Sequence, residues 1–297
     1  MYSGILFGFL AAFSQSISYL CTRIFVKKHS NDILKLFALS HIIMGFISIP
    51  LALFLMPAKM PEFSNYALSL LGSTIFYILG QLFLFFALTT SDPSRVSPLL
   101  GLKVFILAII GFVFLHQNLS LIKWIAVILS SYSAFLLSSS GKKLNLSSIA
   151  LIILACFSFC ISDLSIKALV DNFKYLGVLH GAVLSSAFCY ILCGFCGTMF
   201  LFFTQNTSKE AWLDSIPFAF FWFIAMIFLF SCFALIGVVF GNIIQSTRGI
   251  ISIVLGYVIA NFGFELLETK ITKKVFIQRI LAALLMTASI ALFYYSK

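Results

Sequence analysis

Charge is what this sequence has least of. Of its 297 residues only 9% are Asp, Glu, Lys or Arg, and 62% are hydrophobic. Soluble domains carry about 25% charged residues. This chain has too few to cover a water-facing surface, and it reads as a membrane protein. Acids are the scarcer sign, 9 Asp and Glu against 19 Lys and Arg. They scatter, mostly to the ends of apolar segments. A membrane-embedded enzyme needs clustered carboxylates or histidines for acid–base or metal chemistry, so the chain is not expected to be an enzyme. The histidines, His29, His41, His116 and His180, lack ligand spacing such as HxxxH, and neither a metal nor a cofactor is expected. Cys193 and Cys196 form a CxxC with no His or carboxylate nearby, and read as small apolar residues facing neighbouring helices. No GxxxxGK[ST] loop occurs, which excludes the usual ATP cradle. A net charge of +10 would suggest nucleic acid in a soluble protein. Here there is no basic stripe, and the bases read as helix-end residues beside anionic headgroups.

What is abundant is long apolar runs, with Phe alone contributing 36 residues. A spanning helix needs roughly 20 predominantly apolar residues. Ten segments qualify, at about 3–26, 34–56, 66–89, 96–115, 120–139, 146–169, 176–204, 214–238, 242–264 and 275–295. They leave only short connections and no room for a soluble domain. The first segment is followed by no cleavage site and is not read as a signal peptide.

The chain also repeats itself. FSQSISYLCTR (13–23) and FSFCISDLSIK (157–167) align 144 residues apart (157 minus 13), matching Phe13, Ser14, Ile17, Ser18 and Leu20 to Phe157, Ser158, Ile161, Ser162 and Leu164. Arg23 falls on Lys167, and Tyr19 on Asp163. A second echo sets GLKVFILAIIGF (101–112) against STRGIISIVLGY (246–257), with Lys103 on Arg248 and Gly111 on Gly256. Residues 1–140 therefore repeat as 146–297, five helices each. Five is odd, so the second copy enters the membrane from the opposite side. The expected fold is all-α, ten transmembrane helices as two inverted five-helix repeats, the architecture of many secondary transporters.

The stretches ALTTSDPSRVSPLLGLKVFILAIIGFVFLHQNLS (87–120) and QSTRGIISIVLGYVIANFGFELLE (245–268) resemble the end of each repeat in the drug/metabolite transporter superfamily, in its EamA-like bacterial branch. The resemblance covers the whole chain. It implies a multi-pass protein of the cell membrane, a bacterial inner membrane in particular, with both termini cytoplasmic. The Lys and Arg distribution points the other way. Odd-numbered loops hold most of them, including Lys27, Lys28, Lys273 and Lys274, and by the positive-inside rule these loops are cytoplasmic and both termini outside. Both readings put the termini on one side.

A charge at the bilayer centre costs at least ~2.5–3.5 kcal/mol on insertion scales. Lys103, in the fourth segment, and Arg248, in the ninth, are placed by inverted symmetry on opposite walls of one central cavity. There they would bind an anionic group, Arg bidentately and Lys as a point charge; the alternative is snorkelling, or pairing with an acid such as Asp163. Their placement resembles the basic residues on the fourth and ninth helices of the sugar-phosphate and nucleotide-sugar branches. Asp163 would couple a proton or bind a substrate amine, or else pair with Lys167 one turn away. Asn242, Gln245 and Ser246 beside Arg248, Tyr77 and Gln81 four apart, and Gln15 with Ser18 and Tyr19 are further pocket candidates, against a role in interhelical packing. The repeated Phe and Ser are expected to pack the bundle. Arg23 and Lys167 are expected to anchor helix ends at opposite faces, and Glu265 and Glu268 to sit with Lys270 in a solvated cap.

The expected function is a secondary active transporter of small polar metabolites, amino acids or related organic ions, working by alternating access. A proton or counter-substrate would drive it, and the protein would be a monomer or weak dimer. The alternative is an exchanger of phosphorylated or nucleotide-like anions using Lys103 and Arg248. A membrane-embedded enzyme is a distant third. Small-molecule substrate and lipid bilayer are the expected partners, and nucleic acid is not.

Overall fold

The computed structural model describes residues 1–29, 32–90, 99–113, 116, 118–138, 146–204, 207–261 and 273–296. Among them every regular element is helical and none is a strand. In chain order these are α1 (Tyr2–Lys28), α2 (Ile33–Leu55), α3 (Phe63–Thr90), a 3-10 turn (Leu100–Leu102) leading into α4 (Lys103–Val113), and α5 (Leu121–Ser138). Then follow α6 (Leu146–Asn172), a 3-10 turn (Lys174–Leu176), α7 (Val178–Leu201), α8 (Lys209–Ile236), α9 (Val238–Gln245), α10 (Arg248–Asn261) and α11 (Lys273–Tyr295). Among the described residues 6 helices, α1, α2, α3, α6, α7 and α8, are long and apolar enough to cross a membrane.

The fourth and ninth segments are each interrupted within the described residues. The fourth enters as a 3-10 turn before its helix, and the ninth is two helices, α9 and α10, separated by Ser246 and Thr247. Lys103 and Arg248, expected about two turns inside their segments, are each the first residue of a helix, α4 and α10. Hydroxyls add hydrogen bonds to carbonyls around the break, two of which, Asn242 O and Ile244 O, also accept from the backbone N–H of Ser246 and Thr247. Thr247 Oγ1 donates to Ile244 O (2.6 Å), Ser246 Oγ to Asn242 O (2.9 Å), and Ser16 Oγ, from α1, to Arg248 O (3.0 Å). Irregular backbone at membrane depth needs such internal partners, because lipid offers none.

The most extensive helix contacts pair α1 with α8, α2 with α7, α3 with α6, and α5 with α11. Lipid tails are as apolar as Leu, so the helices hold through close van der Waals fit and interhelical hydrogen bonds. At the α2–α7 crossing Gly45 and Gly194 face each other. A Cβ on Gly45 would lie 2.7 Å from the Gly194 Cα, and one on Gly194 2.8 Å from the Gly45 Cα. Ser162 Oγ donates to Ser73 O (2.8 Å) between α6 and α3, and Ser133 Oγ to Ala282 O (2.7 Å) between α5 and α11. Gly237, φ +80°, turns the chain between α8 and α9 in a conformation that only Gly adopts freely.

The two repeated phrases fold alike. Ala11 and Ala155 are both fully buried, and Ser14, Ser158, Ser18 and Ser162 are buried. Phe13 and Phe157 correct one expectation: at 46% and 48% exposed they face outward rather than packing the bundle. An outward Phe meets lipid at no cost, while Ala and Ser on the opposite face let helices approach. The side chain of Arg23, and all of Glu265, Glu268 and Lys270, lie outside the described residues and side chains.

The α2–α7 crossing makes Gly45→Ala costly, by about 1–3 kcal/mol through overpacking against backbone. Its neighbour Phe46, 76% exposed, should tolerate Leu with little change. Thermal unfolding of the two detergent-purified variants beside wild type checks the contrast.

Candidate functional site

A cavity, with about 450 Å³ of empty space when the part open to solvent is included, lies between α1, α3, α4, α6, α8, α9 and α10. Gln15, Tyr19, Tyr77, Gln81, Lys103, Asp163, Gln245 and Arg248 all line it. Residues from widely separated parts of the chain thus meet in one place.

The charges are arranged unequally. Lys103 Nζ stands 2.8 Å from Asp163 Oδ2, with side chains only 8% and 6% exposed. Asn242 Nδ2 donates to the same carboxylate oxygen (2.8 Å) and also to Val238 O (2.9 Å). The alternative pairing with Lys167 does not form, because Lys167 instead bonds Asp171 one turn further on. Arg248 has no carboxylate partner among the described residues. Its Nη1 donates to Gln15 Oε1 (3.0 Å), and Gln245 Nε2 donates to the same oxygen (3.0 Å). A guanidinium carries five donors, and this contact uses one of them.

Asn242 and Ser246 are not among the lining residues. Asn242 reaches Asp163 from behind the wall, and Ser246 turns back onto its own helix at Asn242 O. Both support the site rather than facing the cavity. Ser18 likewise donates to Gln15 O (2.7 Å), within its own helix.

Much of the rest of the cavity wall is aromatic. Trp222 sits 6.1 Å from Tyr19 and 6.3 Å from Tyr77, and Tyr77 sits 6.5 Å from Phe159, between ring centroids. Lys103 Nζ lies 5.8 Å from the Phe159 centroid, within cation–π range. Tyr77 is oriented by His41, whose Nδ1 donates to Phe37 O (2.7 Å) and whose Nε2 accepts from the Tyr77 hydroxyl (2.9 Å). Trp222, Phe159 and Met226 were not singled out in the sequence, since each lies in an unbroken apolar run. A signal was present: Trp222 stands 145 residues after Tyr77 (222 minus 77), the offset that relates Arg248 to Lys103.

Residues 2–139 match the model of the EamA-like transporter family. No curated protein matches the chain. Among 29 solved chains that match, one described only as "Crystal structure of protein" aligns with a TM-score of 0.70 at 14% identity, covering 98% of this chain and 96% of its own. At that identity the likeness concerns the fold, and it runs nearly the full length of both chains.

Removing one partner of a buried ion pair leaves an uncompensated charge and costs about 3–5 kcal/mol. Lys103→Met and Asp163→Asn should each be strongly destabilised, and the double variant should recover most of the loss. Unfolding midpoints of the three variants in one detergent test the pair directly.

Proposed function

We propose that this chain, whose residues 2–139 match the model of the EamA-like transporter family, belongs to that family within the drug/metabolite transporter superfamily, and that it is a secondary active transporter that moves small polar metabolites, amino acids or related organic ions, by alternating access. The observation that carries this reading is the pairing of the residues around the cavity. Tyr77 and Trp222, Gln81 and Met226, Leu84 and Leu229, Leu100 and Gln245, and Lys103 and Arg248 all line it, and each pair stands 145 apart (222 minus 77). Gln15 and Phe159, and Tyr19 and Asp163, also line it at the 144 offset of the opening phrase (159 minus 15).

A cavity walled by matched positions is what two halves related by a pseudo-two-fold axis would build. The helix partners agree with it. Exchanging each helix of the first half for its counterpart in the second turns the α1–α8 contact into the α6–α3 contact, and maps α2–α7 and α5–α11 onto themselves. This supports reading 1–140 and 146–297 as inverted repeats, with halves that rock about a central site and open it to each side in turn. Broken segments flanking the site, the 3-10 turn before α4 and the gap between α9 and α10, fit the same design. The pseudo-symmetry is complete within one chain, so a monomer suffices. The setting we propose is a bacterial inner membrane, with a proton or counter-substrate as the driving partner.

The alternative, an exchanger of phosphorylated or nucleotide-like anions, would use both bases. Lys103 is already held by Asp163, which leaves one uncompensated cation for a dianion. That favours the metabolite reading over the phosphate one.

Counterflow in proteoliposomes checks the function. Vesicles holding the purified protein and loaded with mixed amino and organic acids should accumulate labelled members of the mixture above protein-free vesicles, without ATP. Arg248→Ala should lower the initial rate at least tenfold. No accumulation above protein-free vesicles would sink the transporter reading.

A further inference from the structure

The charge balance and the shape of the cavity say more about its cargo than that it is small and polar. Around it Lys103 and Arg248 bring two positive charges, and Asp163, the one acid among the described lining residues, brings one negative charge. Asp163 spends its charge on Lys103 and shares the same oxygen with Asn242. One positive charge is left, at Arg248, whose only hydrogen-bonded side-chain partner among the described residues is the neutral amide of Gln15. A ligand with one negative charge brings the sum to zero. A zwitterion leaves its ammonium beside a net positive site, with no free carboxylate among the described lining residues to receive it. A phosphate dianion leaves an excess negative charge unless Lys103 is pulled from Asp163, which strands a buried carboxylate. In a low-dielectric interior such mismatches are costly.

The rest of the wall fixes the shape of the ligand's body. Tyr19, Tyr77, Phe159 and Trp222 form a run of rings with neighbouring centroids 6.1–6.5 Å apart. Met226, Leu229 and Ile166 add apolar surface beside them. Aromatic faces receive a flat apolar body by stacking or edge-to-face contact, and they offer little to a hydroxyl-rich one. Gln15 and Gln245, next to Arg248, give the charged end amide groups for hydrogen bonding.

We propose that the cavity takes organic monocarboxylates with a flat, apolar body and no amine, the carboxylate gripped by Arg248 and the body laid against Tyr19, Tyr77, Phe159 and Trp222. This rests on the transporter reading for its biological meaning, and narrows the substrate class within it. Arg248 offers two parallel N–H donors to a carboxylate, and Gln15 holds the guanidinium in position by one further contact.

The test is a matched set of probes titrated by calorimetry into the full-length protein in detergent, against detergent alone. 3-Phenylpropionate carries the proposed charge and body. Phenylalanine adds an ammonium to the same skeleton, phenethylamine reverses the charge, phenyl phosphate doubles it, and acetate removes the body. The expected result is a Kd for 3-phenylpropionate at least tenfold below that of each other probe. Arg248→Gln should weaken it at least tenfold, with Arg248→Lys falling between. Phenylalanine or phenyl phosphate binding as tightly as 3-phenylpropionate, or no binding by 3-phenylpropionate, overturns the assignment. The wild-type ranking decides this even where a variant fails to fold.

The same probes in counterflow separate the two ideas. Binding of 3-phenylpropionate without its exchange across the vesicle overturns the transporter reading and supports the ligand assignment. Exchange of phenylalanine or phenethylamine but not of 3-phenylpropionate does the opposite.

Discussion

A lysine and an aspartate meet inside a bundle of apolar helices, and the layout of the cavity follows from how that pair is held. Taken alone, either charge would be too costly to keep at such depth. Together, at 2.8 Å and with Asn242 on the shared carboxylate oxygen, they tie α4, α6 and α9 to one point. A buried pair of this kind adds little net stability, because desolvation offsets its attraction. Its value lies in position. It neutralises one of the two bases lining the cavity, so that the charge of Arg248 is left without a counter-ion among the described residues. A site with two free cations and a site with one cation beside a closed ion pair would select different cargo, though their residues are the same.

The other constraint is closeness. Without a hydrophobic force between helices in lipid, the bundle depends on surfaces that let backbones touch. Gly45 against Gly194 on α2 and α7 is the clearest instance. Some large apolar residues are turned outward, as with Phe13 and Phe157, while others, such as Phe25, Phe37 and Phe233, are fully buried. The interior thus combines bulky apolar side chains with small and polar ones where helices meet. Around the cavity at its middle, buried polar groups bond to one another. Gln15 shows the economy of this: one amide oxygen receives both Arg248 and Gln245.

Much of the site was legible from depth and repetition. A base inside an apolar run marks itself, and so Lys103, Arg248 and Asp163 were found. Gln15, Gln81 and Gln245 stood out for the same reason, as amides that lipid would not tolerate. Trp222, Phe159 and Met226 did not, because an apolar residue in an apolar run carries no such mark. Asn242 and Ser246 stood out as polar residues, yet they support the wall from behind, and polarity alone does not distinguish lining from support. The interruption between Gln245 and Arg248 was missed because Ser246 and Thr247 neither forbid a helix nor end one by themselves.

Composition alone determined that the chain is a helical membrane protein, since 9% charged residues cannot clothe a soluble surface. The repeat offset determined which residues to compare. Only the tertiary structure decided which of them meet. Asp163 had a base one turn away at Lys167, and took Lys103 from another helix instead. The physical reason is that a helix apolar on all sides has no hydrophobic face to declare which way it turns. Its rotation is set by where small residues on two helices can touch, and that choice, made across the bundle, determines whether a carboxylate looks along its own helix or across to the next.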